Sequence, residues 1–504
     1  MNPALEGPDL CRRTMKLKRL LKDLPDLVVK GSQETEITGI TAHSQSVAPG
    51  NLFLAKRGGV RNGRDFISQA VLSGAAAIAT DLYDPFLQHA VQVIHPDVAA
   101  LEPVLAERFF QSPSRELFLV GVTGTNGKTT TSYLIRHLFH ALNIPSGLLG
   151  TVEWMIGETI LPARLTTPDL LTGQKMLREM VDCKAKAAVM EVSAHGLTQN
   201  RVALFDFDVA IFTNLTPDHL DYYKTMEAYG EAKTKLFSQL DEDKAAVINA
   251  DDPFSSHLAR HCKARLFTYG IEQGDVRAES VTLTLDGLSC TVRHEGKSAS
   301  LFCPLIGRFN VYNCLAALSV GRILGASLET CTKALSSFVS VPGRMEKVVN
   351  ARGILVYVDY SHTEDALKNA LLTLRELHSG RIVTLFGCGG DRDAEKRPRM
   401  GRLAEELSDQ VILTSDNPRS EEPLAIIADI LKGMKDPEKT FVEPDRKRAI
   451  EWALRHAREG EILLLAGKGH ETYQIFSSQT VTFDDRKVAA SAAELDPKVP
   501  TSLN

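Results

Sequence analysis

The chain has 504 residues, 43% of them hydrophobic and 24% charged, with a formal net charge of -5. At about 150 residues per domain, that length predicts roughly three soluble folding units. The mild negative charge, the polar opening MNPALEGPDLCRRTMKLKRLLK and the lack of any apolar run near the ~20 residues of a membrane span exclude nucleic-acid and membrane partners, and predict a cytoplasmic protein.

Residues 1–112 mix short strand-like pieces, EITGIT and NLFLA, with an Ala-rich helical stretch around FISQAVLSGAAAIAT, as in a small α/β domain. Residues 113–341 open with LFLVGVT, an apolar run suited to a strand buried on both faces. A Gly-rich turn and the helical TTSYLIRHLFHAL follow. AAVMEV, DVAIFTN, KAAVINA and ARLFTYG alternate with helices, which predicts a parallel sheet, and VRAESVTLTLDGLSCTVRHEG reads as an appended antiparallel hairpin. After the VPGR turn, residues 342–504 restart the rhythm with ILVYVDY, RIVTLFG, DQVILTS and EILLLAG, a Rossmann-like doubly wound domain with a frayed tail after about residue 494. The eight cysteines (Cys11, Cys183, Cys262, Cys290, Cys303, Cys314, Cys331 and Cys388) form no CxxC pair and read as reduced thiols, mostly core filling.

Residues 121–130, GVTGTNGKTT, have the makings of a triphosphate cradle. Small residues let amide N–H groups converge on phosphate oxygens, Lys128 adds a point charge, Thr129 offers a hydroxyl to magnesium, and the next helix aims its N-terminus at the ligand. Val122 stands where GxxxxGK[ST] loops have their first glycine, which argues against an ordinary GTPase or motor ATPase. Glu191 at the end of AAVMEV is placed for a metal ligand, and His219, flanked by Asp218 and Asp221, for magnesium or phosphate. Lys233 falls within the apolar stripe of MEAYGEAKTKLFSQL. A desolvated lysine has a lowered pKa and could react with carbon dioxide to form a carbamate, whereas a snorkelling lysine would only cover apolar surface.

Four strand-end loops of the third domain, VDYSHTEDA, FGCGGDRDAEKR, TSDNPRSEEP and AGKGHETYQ, should emerge on one sheet edge. That would gather Arg392, Asp416, Asn417, Arg419, Gly467, Lys468, His470 and Glu471. Guanidinium groups beside a glutamate suit a ligand carrying carboxylates and an ammonium group, such as an amino acid.

Together TGTNGKTTT, TTPD, MEVSAHGLTQNRV, NLTPDHLDYY, EAKTKLF, GRFNVYN, VPGRME, VDYSHTEDAL, FGCGGDRDAEKRP, SDNPRSEEP and GKGHETYQ resemble the Mur ligase family of bacterial peptidoglycan synthesis, from about residue 37 to near the end of the chain. The resemblance implies three domains: an N-terminal UDP-substrate domain, a central P-loop ATP domain and a C-terminal amino-acid domain. The strings are most similar to those of members that join meso-diaminopimelate to UDP-N-acetylmuramoyl-L-alanyl-D-glutamate with cleavage of ATP to ADP and phosphate. By that likeness Gly124, Thr125, Asn126, Gly127, Lys128, Thr129 and Thr130 hold ATP, and Asn310, Arg344 and Asp359 seat its adenosine. Thr129, Glu191, His219 and a carbamylated Lys233 place Mg2+. Thr166, Thr167, Ser193, Gln199 and Arg201 contact the muramoyl dipeptide, with Ser44 near the uridine. Arg392, Asp416, Asn417, Pro418, Arg419, Gly467 and Glu471 bind diaminopimelate, Arg419 offering a partner for the distal carboxylate that lysine lacks. Three strings depart from the family pattern: HSQ at His43–Gln45 in place of DSR, the GGVRNG segment with Gly59 to Arg61, and Ser361 and Glu364 in place of Ala and Pro. The implied enzyme is a monomer. The competing readings are a lysine-adding homologue, a folylpolyglutamate synthetase-like ligase, an ATP-switched binding protein and, weakly, a dinucleotide oxidoreductase suggested by GCGGDRD.

Overall fold

The computed structural model describes residues 13–58, 61–350 and 352–494; the expected frayed tail, Cys11 and positions Gly59 and Val60 lie outside them. The chain forms three main sheets in sequence order.

The first has five strands in the order Val28–Lys30, Val91–Ile94, Ala77–Thr80, Asn51–Leu54 and Gly39–Thr41, parallel except at the Val28–Lys30 edge. The Ala-rich stretch is a correction to the helical reading. The helix covers only Ile67–Leu72, and Gly74 then takes φ +94°. A left-handed residue stops a helix, and Ala77–Thr80 continues as a strand buried along its whole length. Small residues fit between two covered faces, which alanine propensity alone does not reveal.

The central sheet has eleven strands. Its parallel core runs Ser146–Leu149, Ala187–Glu191, Phe118–Thr123, Val209–Phe212, Ala245–Asn249 and Arg265–Gly270. Both edges are antiparallel, so the sheet is mixed rather than purely parallel. The expected pairing of Val276–Thr284 with Gly287–His294 gains a third strand, Lys297–Cys303, and an unforeseen hairpin, Glu153–Ile156 with Thr159–Pro162, closes the opposite edge. Alternate residues of the core strands feed opposite faces, as a period of two requires. Val120, Val122, Val189 and Ile211 pack under the helices Lys128–Ala141 and Arg308–Ile323, while Leu119, Ala188, Met190 and Phe212 pack under Leu170–Asp182 and Met226–Ser238. Each fully buried aliphatic side chain contributes about 1.5–3 kcal/mol, which holds the strand ends, and the loops they carry, in fixed register.

The third sheet runs Glu346–Val348, Leu355–Asp359, Ile462–Ala466, Ile382–Phe386, Gln410–Leu413 and Phe441–Val442. All but the Glu346–Val348 edge are parallel, and helices cover both faces. The four strands foreseen here form its centre. Of the described cysteines, all free, Cys290, Cys303, Cys314, Cys331 and Cys388 are buried, Cys183 is exposed and Cys262 half-buried. No described helix is long and apolar enough to cross a membrane.

Candidate active site

The strand Phe118–Thr123 delivers the chain to Gly124 at φ +146°, and Gly127 at φ +86° precedes the helix Lys128–Ala141. Both positions favour glycine by conformation and by space. A Cβ at Gly124 would lie 1.8 Å from Thr213 Oγ1, and one at Gly127 would lie 2.5 Å from Asn313 Oδ1. The loop after Val209–Phe212 braces the cradle: Thr125 N donates to Asn214 O (2.9 Å), Asn126 N to Asn214 Oδ1 (2.9 Å), and Thr213 Oγ1 to Asn126 O (2.6 Å). On the other side Thr131 Oγ1 donates to Asn313 Oδ1 (3.1 Å), and Asn313 Nδ2 to Asn310 Oδ1 (2.8 Å). We expect Gly124→Ala to cost about 1–3 kcal/mol of stability for an alanine held at that φ, measured as a lowered midpoint of thermal unfolding without ligand.

Lys128 Nζ donates to Gly124 O (2.9 Å) and Thr125 O (2.8 Å), so the ammonium is held against the loop it follows. Burial pushes its pKa down, Glu191 and Asp218 oppose that, and Arg344 adds to it. Thr129 Oγ1 donates to Glu191 Oε2 (3.0 Å). The same buried carboxylate accepts from Thr151 N (2.8 Å) and Thr151 Oγ1 (2.9 Å). A threonine hydroxyl and a carboxylate side by side are hard oxygen donors of the kind that suits Mg2+, and they could hold it. Among the described residues no group of three His, Cys, Asp or Glu side chains forms a cage.

Lys233 is 1% exposed, and its ammonium lies over the Tyr229 ring at 4.0 Å. It does not snorkel. Burial drives its pKa well below the ordinary lysine value, with Lys128 lowering it further and Asp218 opposing. His219, left-handed at φ +54° and half exposed, sets its ring 6.1 Å from Tyr229 and 4.8 Å from His195. His219 and Lys233 therefore flank one tyrosine. Thr130 lies buried in the first turn of the cradle helix.

A hydroxyl row extends from Glu191. Thr151 Oγ1, its one proton given to Glu191, accepts from Thr166 Oγ1 (3.1 Å), while Thr167 Oγ1 donates to Glu191 O (2.9 Å) and Ser193 N to Thr167 Oγ1 (2.9 Å). Arg201 donates to Thr167 O (2.9 Å) and to Gln199 Oε1 (2.6 Å). Thr166, Thr167, Ser193, Gln199 and Arg201 are thus brought together. Ser44 is not: it lies on the short turn Ser44–Ser46 of the first domain, and among the described residues none of its hydrogen bonds reaches another candidate.

In the third domain Asp359 accepts from Met345 N (2.7 Å) and from the Ser361 hydroxyl. Burial pushes its pKa up, against Ser361 and Arg344. Arg344 stacks over Tyr360 at 4.9 Å. Asn417 Nδ2 donates to Glu471 Oε2 (2.9 Å), and the fully buried Lys468 donates to Asn417 Oδ1 (3.1 Å) and Glu471 Oε2 (2.9 Å). A Cβ on Gly467 would meet Asp416 Oδ2 at 2.9 Å. Pro418 is buried, and its carbonyl packs against Gly390. Arg419, at φ +54°, donates NH1 to Gly390 O (2.7 Å), and the side chains of Arg419 and Arg392 both border Gly389. A cleft of about 300 Å3 opens beside Glu471, between the hairpin residues Glu153, Ile160 and Leu161 and the loop residues His470 and Tyr473. Burial and the surrounding cations, Arg344 first, push His470 down to about 4.

Three family models match the chain: the catalytic domain of the Mur ligase family over residues 36–109, the Mur ligase middle domain over 122–321, and the Mur ligase glutamate ligase domain over 343–469. The chain belongs to the Mur ligase family. This Mur ligase is 43% identical over 488 residues, 95% of its length and 99% of the relative's, to the UDP-N-acetylmuramoyl-L-alanyl-D-glutamate--2,6-diaminopimelate ligase of Geobacillus thermodenitrificans. A solved structure bearing the same enzyme name covers 95% of this Mur ligase and 99% of its own chain, with 32% identity and a TM-score of 0.68. The MurF ligase from Thermotoga maritima in complex with ADP shares the fold at 20% identity and a TM-score of 0.63, covering 85% of this chain and 93% of its own.

Sequence reasoning missed Thr151, Thr213, Asn214 and Asn313. Thr151 left a trace, as the polar residue closing the apolar GLLG strand end. Thr213, Asn214 and Asn313 lie within the strings DVAIFTN, NLTPDHLDYY and GRFNVYN, but their bracing of the cradle comes from crossing between elements, which no local string records.

Proposed function

We propose that this Mur ligase joins meso-diaminopimelate to UDP-N-acetylmuramoyl-L-alanyl-D-glutamate, cleaving ATP to ADP and phosphate in the synthesis of peptidoglycan precursor. The observation that carries the reading is the Asn417–Lys468–Glu471 network with Arg419 and Arg392 beside the neighbouring Gly389, cations and a carboxylate suited to an amino acid, in a protein whose relatives bear that substrate in their names. We assign UDP binding to residues 1–112, ATP to 113–341 and the amino acid to 342–504.

In this reading the D-glutamyl carboxylate attacks the γ-phosphorus of ATP, and the amine of diaminopimelate then displaces phosphate from the acyl-phosphate. The first step brings anions together. Lys128, beside the cradle amides of Gly124 to Thr130, offsets the charge that builds there, because pre-placed donors need no reorganisation. Asn310, which reaches the cradle helix through Asn313, seats the adenosine together with Arg344 and Asp359 of the third domain. Thr166, Thr167, Ser193, Gln199 and Arg201 orient the dipeptide, and Ser44 meets the uridine. Asp416, Asn417, Pro418, Arg419, Gly467, Glu471 and Arg392 orient the amine. Thr129 and Glu191 would hold Mg2+, with His219 and a Lys233 carbamate on the adjoining wall. When bound, the ion supplies charge neutralisation at the phosphates. The chain acts as a monomer in the cytoplasm.

The lowered pKa of Lys233 makes its neutral, carbamate-forming amine available at lower pH than for a free lysine, and that fraction grows as pH rises. Protein stripped of carbon dioxide should lose activity and regain it on adding bicarbonate, faster at alkaline than at acidic pH. A carbon-13 label taken up by the unmodified protein and not by Lys233→Arg checks this.

The experiment that separates ligase from nucleotide switch is ADP release measured with each substrate omitted in turn. A ligase releases ADP only with dipeptide and amino acid both present. Release from ATP alone at the full rate would refute the reading.

A further inference from the structure

The amino-acid crevice is built from two loops that do not leave neighbouring strands. Asp416–Arg419 follows Gln410–Leu413 and Gly467–Glu471 follows Ile462–Ala466, with Ile382–Phe386 between them in the sheet. That middle strand gives way at Gly387, where a Cβ would lie 2.1 Å from Thr414 O and 2.9 Å from Asp416 N. Sheet pairing therefore ends before it can fix the distance between the loops.

A side chain spans the gap. Arg446 begins the helix Arg446–His456 and Asp485 begins the helix Asp485–Ala493, and both side chains are 0% exposed. Arg446 Nε and NH2 donate to the two Asp485 oxygens at 2.7 and 2.6 Å. NH1 reaches Ser415 O at 3.4 Å and NH2 reaches Ala466 O at 3.1 Å. Those carbonyls belong to the residues immediately before Asp416 and Gly467. Gln474 Nε2 adds a bond to Asp416 O at 2.9 Å.

Ala449, Ile450, Ala489 and Ala492 lie on the same face, and besides Asp485 the carboxylates of Asp416 and Glu471 are near enough to favour the charged guanidinium. Burying an ion pair there is costly, and a hydrophobic pair of equal volume would avoid the cost. What an apolar pair lacks is a rigid fork that donates to two carbonyls while a carboxylate holds its far edge.

We propose that Arg446, clamped by Asp485, is a positioning residue for amino-acid binding. At the base of the loops its guanidinium sets their separation, beneath the direct bonds of Asn417 with Lys468 and Glu471, so the crevice is formed before the amino acid arrives. This rests on reading the crevice as the diaminopimelate site.

Two variants test it: Arg446→Lys, which keeps the charge but loses the fork, and the volume-conserving double substitution Arg446→Met with Asp485→Leu. In both, KM for diaminopimelate should rise about tenfold or more, as expected for losing hydrogen bonds from a charged donor. KM for ATP and for the muramoyl dipeptide, and kcat at saturating amino acid, should stay near those of the unmodified enzyme. An unchanged KM for diaminopimelate in a folded variant would overturn the proposal, and so would a loss spread evenly over all three substrates. If neither variant folds, hydrogen exchange of the unmodified enzyme decides. Segments 413–420 and 465–472 should exchange slowly with no ligand present, and fast exchange that slows only on adding diaminopimelate would refute preformation. Failure of the underlying reading looks different: the unmodified enzyme would then not use diaminopimelate at all.

Discussion

Replacing Lys128 by alanine is expected to lower kcat by about two to three orders of magnitude, while the muramoyl dipeptide binds as before. The ammonium sits within 2.9 Å of two cradle carbonyls, so its position is set by the loop itself. Removing one such pre-placed charge costs about 3 kcal/mol of barrier. Glu191 cannot compensate, since it carries the opposite sign and is occupied by Thr129 and Thr151. Single-turnover measurement of phosphate formation checks this. A variant with near-normal turnover would show that the cradle lies away from the reacting phosphate.

Arg419→Ala should act on choice of amino acid rather than on ATP. The guanidinium donates to Gly390 O and borders Gly389 beside Arg392, so it stands ready for a carboxylate on the crevice rim. Loss of a charge-assisted hydrogen bond costs about 1.5–3 kcal/mol, which predicts a fall of roughly tenfold to a hundredfold in kcat/KM for diaminopimelate. Lysine, which has no distal carboxylate, should be used by the variant as poorly as by the unmodified enzyme. Competition between the two amino acids, followed by product analysis, measures the ratio directly. An unaltered preference would remove Arg419 from the specificity determinants.

Much of this architecture was legible in the sequence because its chemistry is local. The phosphate cradle is one contiguous string between a strand and a helix, and the crevice loops each begin where an apolar strand run stops. Lys233 was readable as a stripe position, but its full burial was not, because that depends on Tyr229 and on the helix packing against the sheet. The strand Ala77–Thr80 escaped because alanine favours helices, and only the two neighbouring strands make a thin, covered strand the better solution. Asn313 and Arg446 escaped for a related reason. Each braces a loop that is remote in sequence, Gly127 in one case and Ser415 with Ala466 in the other, so their roles exist only once the elements are assembled.

The most direct test of ATP-driven acyl activation follows an oxygen atom. With oxygen-18 in the D-glutamyl carboxylate of the muramoyl dipeptide, and with ATP and diaminopimelate present, the released inorganic phosphate should carry one labelled oxygen while the new amide retains the other. Phosphate free of label, with amide formed, would contradict the acyl-phosphate route and the account built on it.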